Sequence, residues 1–320
     1  LGINKTELSK KISWAIKNPS PPKIVSKGKC QEVVEKEVDL TQLPILTHTS
    51  QDLGPYITSG VFIANDVKYG LNVSFHRASP ISSHQLVARI CQRDLYKYLK
   101  RSKGELDVAI CIGLPPSVLI SGAISTEIEK NELEIANSLS PLEVVKCKTS
   151  EIYVPAHSEI VLEGKITSER HKEGPFLDVT KTMDIIREEP VIEINLITHQ
   201  KNPLYQALLP SSSEHSLLMG LPKEPVIFNE VNKVCQCKEA ILTPGGGHWL
   251  HGIVKINKKN MDDGRKAIGA AFKAHKSLKH LIVVDEDIDI HSPEEVEWAI
   301  ATRFQGDKDM VIKKEKGRFY

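Results

Sequence analysis

From residue 57 to about 209 this chain is a succession of short β-branched runs cut by turn residues, and that spacing constrains the fold more than any other feature. Residues 57–64, 72–76, 86–91, 108–112, 143–148, 159–166 and 191–198 each read as a strand. Many short strands with turns between them predict a barrel or sandwich rather than alternating β-α units. Two helices interrupt, at 94–100 and roughly 127–139. Ahead of the strands, 6–17 reads as an amphipathic helix, with Thr6 as N-cap and Leu8, Ile12 and Ile16 on one face; Asn18-Pro19-Ser20-Pro21-Pro22 stops it. After Pro210 the pattern changes to helices at 213–219, 229–235, 261–275 and 293–303 and strands at 249–256 and 279–284, a small α/β unit. The expected class is α+β, with an N-terminal helix and linker over 1–40, a strand-rich domain over 41–220 and an α/β domain over 221–320.

A hydrophobic share of 40% in 320 residues is enough to bury real cores. Lys+Arg 42 against Asp+Glu 41 leaves a net charge of +1, which offers no basic field to nucleic acid or an anionic membrane. The best apolar run, 108–120, is too short to span a bilayer and is broken by Gly113, Pro115 and Pro116. Six scattered cysteines read as reduced core thiols of a cytoplasmic protein, and Cys235-Gln236-Cys237 is too tight for the usual zinc spacing. Leu1 at the start and the charged run Lys313 to Tyr320 read as the limits of a piece of a longer protein.

Chemistry is concentrated in Asn72-Val73-Ser74-Phe75-His76-Arg77. Strand alternation puts Asn72, Ser74 and His76 on one side and Val73 and Phe75 on the other. Arg77 closes the run with a guanidinium able to hold a carboxylate through two parallel hydrogen bonds. The plain alternative is an edge strand with a solvated polar face. In Glu173-Gly174-Pro175-Phe176-Leu177-Asp178 a tight turn carries an acid on each side. An acid against Arg77 stays ionised, while one sheltered by Phe176 and Leu177 is able to carry a proton, so the three residues make a proton-transfer site; the alternative is a surface turn. Glu132 in a helix reads as a metal ligand or a solvated acid. Asp94, after Gln92-Arg93, reads as an N-cap or a functional acid. Ser211 with Glu214 reads as a capping box, or the three serines as a phosphate site. Thr243-Pro244-Gly245-Gly246-Gly247 lacks the ending of a phosphate loop and reads as a mobile turn.

In their order along the chain these pieces resemble the UbiD family of prenylated-FMN-dependent decarboxylases. The signposts are Leu43-Pro44-Ile45-Leu46-Thr47, Gly54 to Gly60, Asn72-x-Ser74-x-x-Arg77, Glu143 to Cys147, Glu159 to Gly164, Glu173-Gly174-Pro175-Phe176 and Trp298 to Arg303. The resemblance implies a split β-barrel, flavin reductase-like cofactor domain and a C-terminal α/β domain used in oligomerisation, as a dimer or hexamer. It implies that Asn72, Glu132 and Asp94 hold Mn2+, with K+ beside it, on the cofactor phosphate. Ser74, Phe75, His76, Arg77 and Arg93 line the cofactor by the same resemblance. Arg77 then holds the substrate carboxylate, Glu173 braces Arg77, and Asp178 protonates the carbon that loses CO2. A flavin prenyltransferase is implied as cofactor supplier.

Three departures stand out. Asp94 replaces the family's usual His ligand, Leu177 stands where many bacterial members have Gly, and the family's first α/β segment and a late Lys-containing segment are not in this sequence. The motif around Leu208 to Gly220 resembles archaeal members, which implies anhydromevalonate phosphate as substrate and isopentenyl phosphate as product. An aromatic acid such as a 4-hydroxybenzoate, a flavin reductase on a related barrel, and a non-catalytic relative are the competing expectations.

Overall fold

The computed structural model of the protein describes residues 5–312, with the backbone only of Lys5 and Thr6. Thr6, expected as an N-cap, lies within helix α1, which starts at Lys5; its side chain and the charged run Lys313 to Tyr320 lie outside the described residues. The chain divides into two compact units, Leu1–Pro222 and Lys223–Tyr320.

In the first unit, helix α1 (Lys5–Lys17) and strand β1 (Lys23–Val25) lead into β2 (Val33–Glu35), β3 (Val61–Asp66), β4 (Gly70–Phe75), β5 (Ala78–Pro80), β6 (Gln85–Ala88) and helix α2 (Asp94–Arg101). Next come β7 (Leu106–Ile112), helices α3 (Pro116–Ala123) and α4 (Glu132–Leu139), and strands β8 (Glu143–Lys146) and β9 (Tyr153–Pro155). Long β10 (Ile160–Glu173), the small hairpin β11 (Phe176–Leu177) and β12 (Met183–Asp184), long β13 (Arg187–His199) and helix α5 (Ser213–Gly220) complete it.

An eight-stranded sheet runs β4-β3-β7-β10-β13-β6-β5, with β2 added on β13, and every pairing is antiparallel. Its two ends, β4 and β5, are consecutive in the chain, separated by only His76 and Arg77. No ladder joins them among the described residues. The sheet thus curls until its edges are linked by two residues without closing, which is a split barrel. Arg77 sits at the seam.

Strand alternation builds two cores at once. On β3 and β7, Phe62, Ala64, Val108 and Ile110 enter one; Val61, Ile63, Ala109 and Cys111 enter the other, against Val118 of α3 and Leu133 of α4. Register shifts interrupt the β10–β13 ladder at Glu163/Gly164 and Ile166/Arg170. At the first, a Cβ on Gly164 would lie 2.1 Å from the Glu193 carbonyl oxygen, so only glycine allows the strands to approach.

In the second unit, helix α6 (Glu224–Asn232) precedes β14 (Gln236–Leu242), β15 (His251–Asn257), α7 (Asp263–Ala274), β16 (His280–Asp285), α8 (Pro293–Arg303) and the single turn α9 (Gly306–Asp309). β14 and β15 pair antiparallel, and β15 and β16 pair in parallel through the α7 crossover. Ile227 and Val231 of α6 and Ala267 and Ala271 of α7 share a core with Val254 and Ile256. Val296 and Ala299 of α8 share another with Ile253 and Val284. As expected, Ser292 caps α8, accepting from the Glu295 N–H at 3.2 Å, and Pro293 follows it.

Several sequence expectations need correction. The apolar run 108–120 is broken as expected, β7 ending at Ile112, but helix α3 beyond the break was missed; Pro116 starts it, where a missing N–H costs nothing. All but one of its residues are buried, so it shows no amphipathic period. The helix expected from 127 begins at Glu132 because the Asn131 side chain caps it, accepting from the Leu133 N–H at 2.9 Å. The helix expected at 229–235 runs earlier, from Glu224 with Pro225 in its first turn, and leaves Cys235 outside. Strand β14, around Cys237, was missed. Thr243 caps a short 3-10 turn over Pro244–Gly246, within the stretch read as a turn. All six cysteines are free, but Cys91 is exposed and Cys235 partly so, unlike the core thiols Cys30, Cys111, Cys147 and Cys237. No helix is long and apolar enough to cross a membrane among the described residues.

Candidate active site

β4 delivers its polar face as a connected row. Ser74 Oγ lies 3.0 Å from Asn72 Oδ1 and 3.0 Å from His76 Nε2. His76 Nδ1 is 2.9 Å from the Arg89 carbonyl, so it carries the ring proton and leaves Nε2 as an acceptor; the one Ser74 hydroxyl proton then goes either to Nε2 or to Asn72 Oδ1. Burial lowers the His76 pKa to about 4, with the nearby Arg93 and Arg89 charges adding to the effect, so the ring is neutral. Val73 and Phe75 face the opposite core, as alternation requires.

At the seam, Arg77 meets Glu173 from the far end of β10. Arg77 Nε reaches Glu173 Oε1 at 2.7 Å and Nη2 reaches Oε2 at 2.9 Å, a two-bond fork. Glu173 is 0% exposed. The Tyr56 hydroxyl donates to Glu173 Oε1 at 3.2 Å and accepts from the Gly174 N–H at 3.1 Å. The Phe176 ring lies under the guanidinium, 4.5 Å from its centroid. Gly174, with φ +89, turns the chain; a Cβ there would also crowd the Ile185 carbonyl at 2.8 Å. Burial alone would lower the Arg77 pKa, but the hydrogen bonds and charge of Glu173, then Asp178 and Asp184, outweigh it and hold the guanidinium charged.

Asp178 follows on the β11–β12 hairpin. Its Oδ2 is 3.9 Å from Arg77 Nη1, beyond a hydrogen bond, and its side chain is 43% exposed rather than enclosed by Phe176 and Leu177. The structure thus brings together the Arg and two acids that lie about a hundred residues apart in sequence. It adds an acid the sequence reading missed: Asp184 Oδ2 accepts from Arg77 Nη2 at 2.8 Å. Asp184 also pairs with Arg187 Nη1 at 2.6 Å and stands 3.9 Å from Arg89 Nε. Tyr56, inside the Gly54 to Gly60 signpost, was a second miss, because its hydroxyl has no recognisable motif.

Two capping expectations change at the site. Ser212, not Ser211, caps α5, accepting from the His215 N–H at 3.2 Å. Ser211 lies outside the helix; its hydroxyl donates to the Asp178 carbonyl and its N–H to His215 Nδ1 at 3.1 Å. Asp94 is the first helical residue of α2 rather than its cap, and pairs with Lys97 at 2.9 Å; Arg93 holds the cap position without a side-chain bond.

Glu132, 6% exposed, turns back onto β4 and accepts from the Val73 N–H at 3.0 Å. It makes no ion pair among the described residues. Burial pushes its carboxyl up to about 8, partly offset by backbone N–H groups and reinforced by the charge of Asp94. Asn72, also 6% exposed, lies on the adjoining strand. A buried acid without a counter-charge among the described residues and a buried amide on the strand it contacts are oxygen donors of the kind that suits a hard divalent cation. Among the described residues no cluster of three or more His, Cys, Asp and Glu side chains is arranged to hold a metal.

Two family models cover nearly all of the chain: the 3-octaprenyl-4-hydroxybenzoate carboxy-lyase Rift-related domain over residues 23–213 and the C-terminal domain of the same family over 216–318. The chain belongs to the UbiD family. Anhydromevalonate phosphate decarboxylase from Methanothermobacter thermautotrophicus is 45% identical over 314 residues, spanning 96% of this chain and 74% of that protein. Its namesake from Methanosarcina mazei is 45% identical over 97% of this chain and 74% of its own length. The UbiD-class enzyme HmfF from Pelotomaculum thermopropionicum, in an evolved dimeric form solved with prFMN, superposes with a TM-score of 0.92 at 39% identity, covering 94% of this chain and 74% of that one. As a UbiD-family protein the chain is a carboxy-lyase of α+β split-barrel fold, and the sequence reading of family, fold and enzyme class is borne out.

Proposed function

We propose that this UbiD-family chain decarboxylates anhydromevalonate 5-phosphate to isopentenyl phosphate with prenylated FMN, in a cytoplasmic homo-oligomer charged by a flavin prenyltransferase. The observation that carries the reading is Arg77: its fork is filled by Glu173 while Nη1 faces Asp178 across 3.9 Å. That gap has an anion-holding donor on one side and a half-exposed carboxyl on the other, the arrangement that decarboxylation followed by protonation requires. Identity of 45% to two archaeal relatives of that named activity supports the substrate.

Prenylated flavin, when bound, would supply the electron sink that loss of CO2 needs. Toward it, the chain offers the hydrogen-bonding row Asn72, Ser74 and His76, with Phe75, Arg77 and Arg93. Asn72, Glu132 and Asp94 would hold Mn2+ against its phosphate, with K+ nearby; the uncompensated burial of Glu132 supports this. Arg77 orients the substrate carboxylate, Glu173 and Tyr56 hold Arg77, and Asp178 delivers the proton.

The test is reconstitution of the full-length protein with prenylated FMN, Mn2+ and K+, then CO2 release from unsaturated acids with and without a phosphate. Turnover confined to the phosphorylated acid is expected; turnover of aromatic acids alone would overturn the substrate. An aromatic acid is the second reading, favoured by the Lactiplantibacillus plantarum gallate decarboxylase, 32% identical over 95% of this chain and 69% of that protein.

A further inference from the structure

The geometry points to Asp184 as a positioning residue that restricts Arg77 to holding a substrate carboxylate through Nη1 alone. A guanidinium has five N–H groups in a fixed plane. In this protein Nε–H and one Nη2–H go to Glu173, and the other Nη2–H goes to Asp184 at 2.8 Å. Among the described residues only Nη1 makes no hydrogen bond, and it stands 3.9 Å from Asp178 Oδ2.

Asp184 is built to stay there. It lies opposite Phe176 in the β11–β12 ladder, so the residue under the guanidinium and the residue on its edge are cross-strand partners. Its other oxygen is taken by Arg187 Nη1 at 2.6 Å and by the Ile185 N–H at 3.0 Å. At 17% side-chain exposure it is shielded from water. The same hairpin carries Asp178, so one contact fixes both the edge Arg77 offers and the acid facing that edge.

The consequence is chemical. A carboxylate gripped by a two-bond fork is stabilised as an anion before it reacts, whereas one held at a single nitrogen is released more readily as neutral CO2. Binding withheld from the ground state favours the transition state. The inference rests on the decarboxylase reading for its purpose, but its geometry can be tested without turnover.

Crotonate, a simple α,β-unsaturated carboxylate, serves as probe on the holoenzyme, with affinity read by NMR titration. Asp184→Ala frees Nη2, so crotonate should bind about tenfold tighter through one added charge-assisted bond. In turnover, KM and kcat should both fall, a pairing that simple loss of structure does not produce. Asp184→Asn, which keeps the side chain's shape, should move both in the same direction by less, and Asp184→Glu should restore the parent values. Unchanged or weaker crotonate binding in a variant with the parent melting temperature would overturn the inference. A third reading needs no variant: with arginine labelled in 15N, crotonate should shift the Arg77 Nη1 signal and leave Nη2 in place. Movement of both would also overturn it. If the parent turns over no acid at all, the function fails while these binding shifts still report on Asp184.

Discussion

Two buried carboxyl groups meet β4 and its C-terminal extension, one near the middle of the strand and one just past its end, and the protein treats them differently. Glu173 meets Arg77 just past the strand's C-terminal end through two hydrogen bonds and has a tyrosine hydroxyl as well. Glu132 meets the strand near its middle through one backbone N–H and has no cation among the described residues. Both are nearly inaccessible, at 0% and 6% exposure. The difference separates a charge pair the chain completes by itself from a half-site whose countercharge must come from elsewhere. The first can assemble as the protein folds; the second gains its stability from what it binds.

The largest effect should come from breaking the completed pair. Arg77→Ala leaves Glu173 buried without its partner, at a cost of about 3–5 kcal/mol, or on the order of 10 °C in Tm, and abolishes turnover. Thermal melts check this; a drop under about 2 °C would mean the two carboxyl groups do not differ as described. A double change, Arg77→Met with Glu173→Leu, should recover much of the lost stability while remaining inactive, because a buried pair replaced as a unit leaves no orphan charge. Asp178 belongs to neither class, being half-exposed and 3.9 Å from Arg77. Asp178→Asn should therefore leave the melting curve and the flavin spectrum unchanged while CO2 release falls about 10²–10⁴-fold. Unchanged turnover would remove Asp178 from the chemistry.

How much of this could be read from the sequence follows from the same physics. The alternation of Asn72 to Arg77 is visible because β4 is polar on one side and apolar on the other, and two faces leave a period of two. The helix α3 leaves none, since nearly every one of its residues is buried. The pairing of Arg77 with Glu173 depended on the order of family motifs; nothing local links a strand edge to a turn about a hundred residues later. Asp184 was not legible, because a two-residue strand is too short to show a pattern and its partner Arg77 comes from another hairpin. Ser211 and Ser212 were confused because both precede α5. Only the backbone decides: Ser211, with φ +59, is already turned out of the helix.

His76 follows β4 directly and lies, in sequence, between Val73, which Glu132 contacts, and Arg77, which Glu173 contacts. Its folded pKa, about 4, is below the ordinary histidine value of about 6.5, chiefly because the ring is buried. The folded state therefore takes up its proton later than the unfolded chain does. The neutral ring is compatible with full stability above pH 6.5, and stability is lost as pH falls from about 6.5 to about 4. The loss should be on the order of 2–3 kcal/mol. His76→Gln should flatten that limb of a urea-melt series run from pH 7.5 to pH 4, and an unaltered slope would show that another group titrates there.

The smallest effect tests the half-site. In metal-free, flavin-free protein, burial keeps the Glu132 carboxyl largely protonated near neutral pH, so Glu132→Gln exchanges one neutral group for another and keeps an acceptor for the Val73 N–H. Stability should change by no more than about 1 kcal/mol, and toward gain rather than loss. The same substitution at Glu173 strips Arg77 of its main countercharge and should cost several times as much. With Mn2+ added, the order reverses for binding: Glu132→Gln should lose most of the metal-induced rise in Tm, while Glu173→Gln keeps it. Equal costs in the metal-free protein would mean that Glu132 already has a partner in solution, and the distinction between a finished pair and an open half-site would not hold.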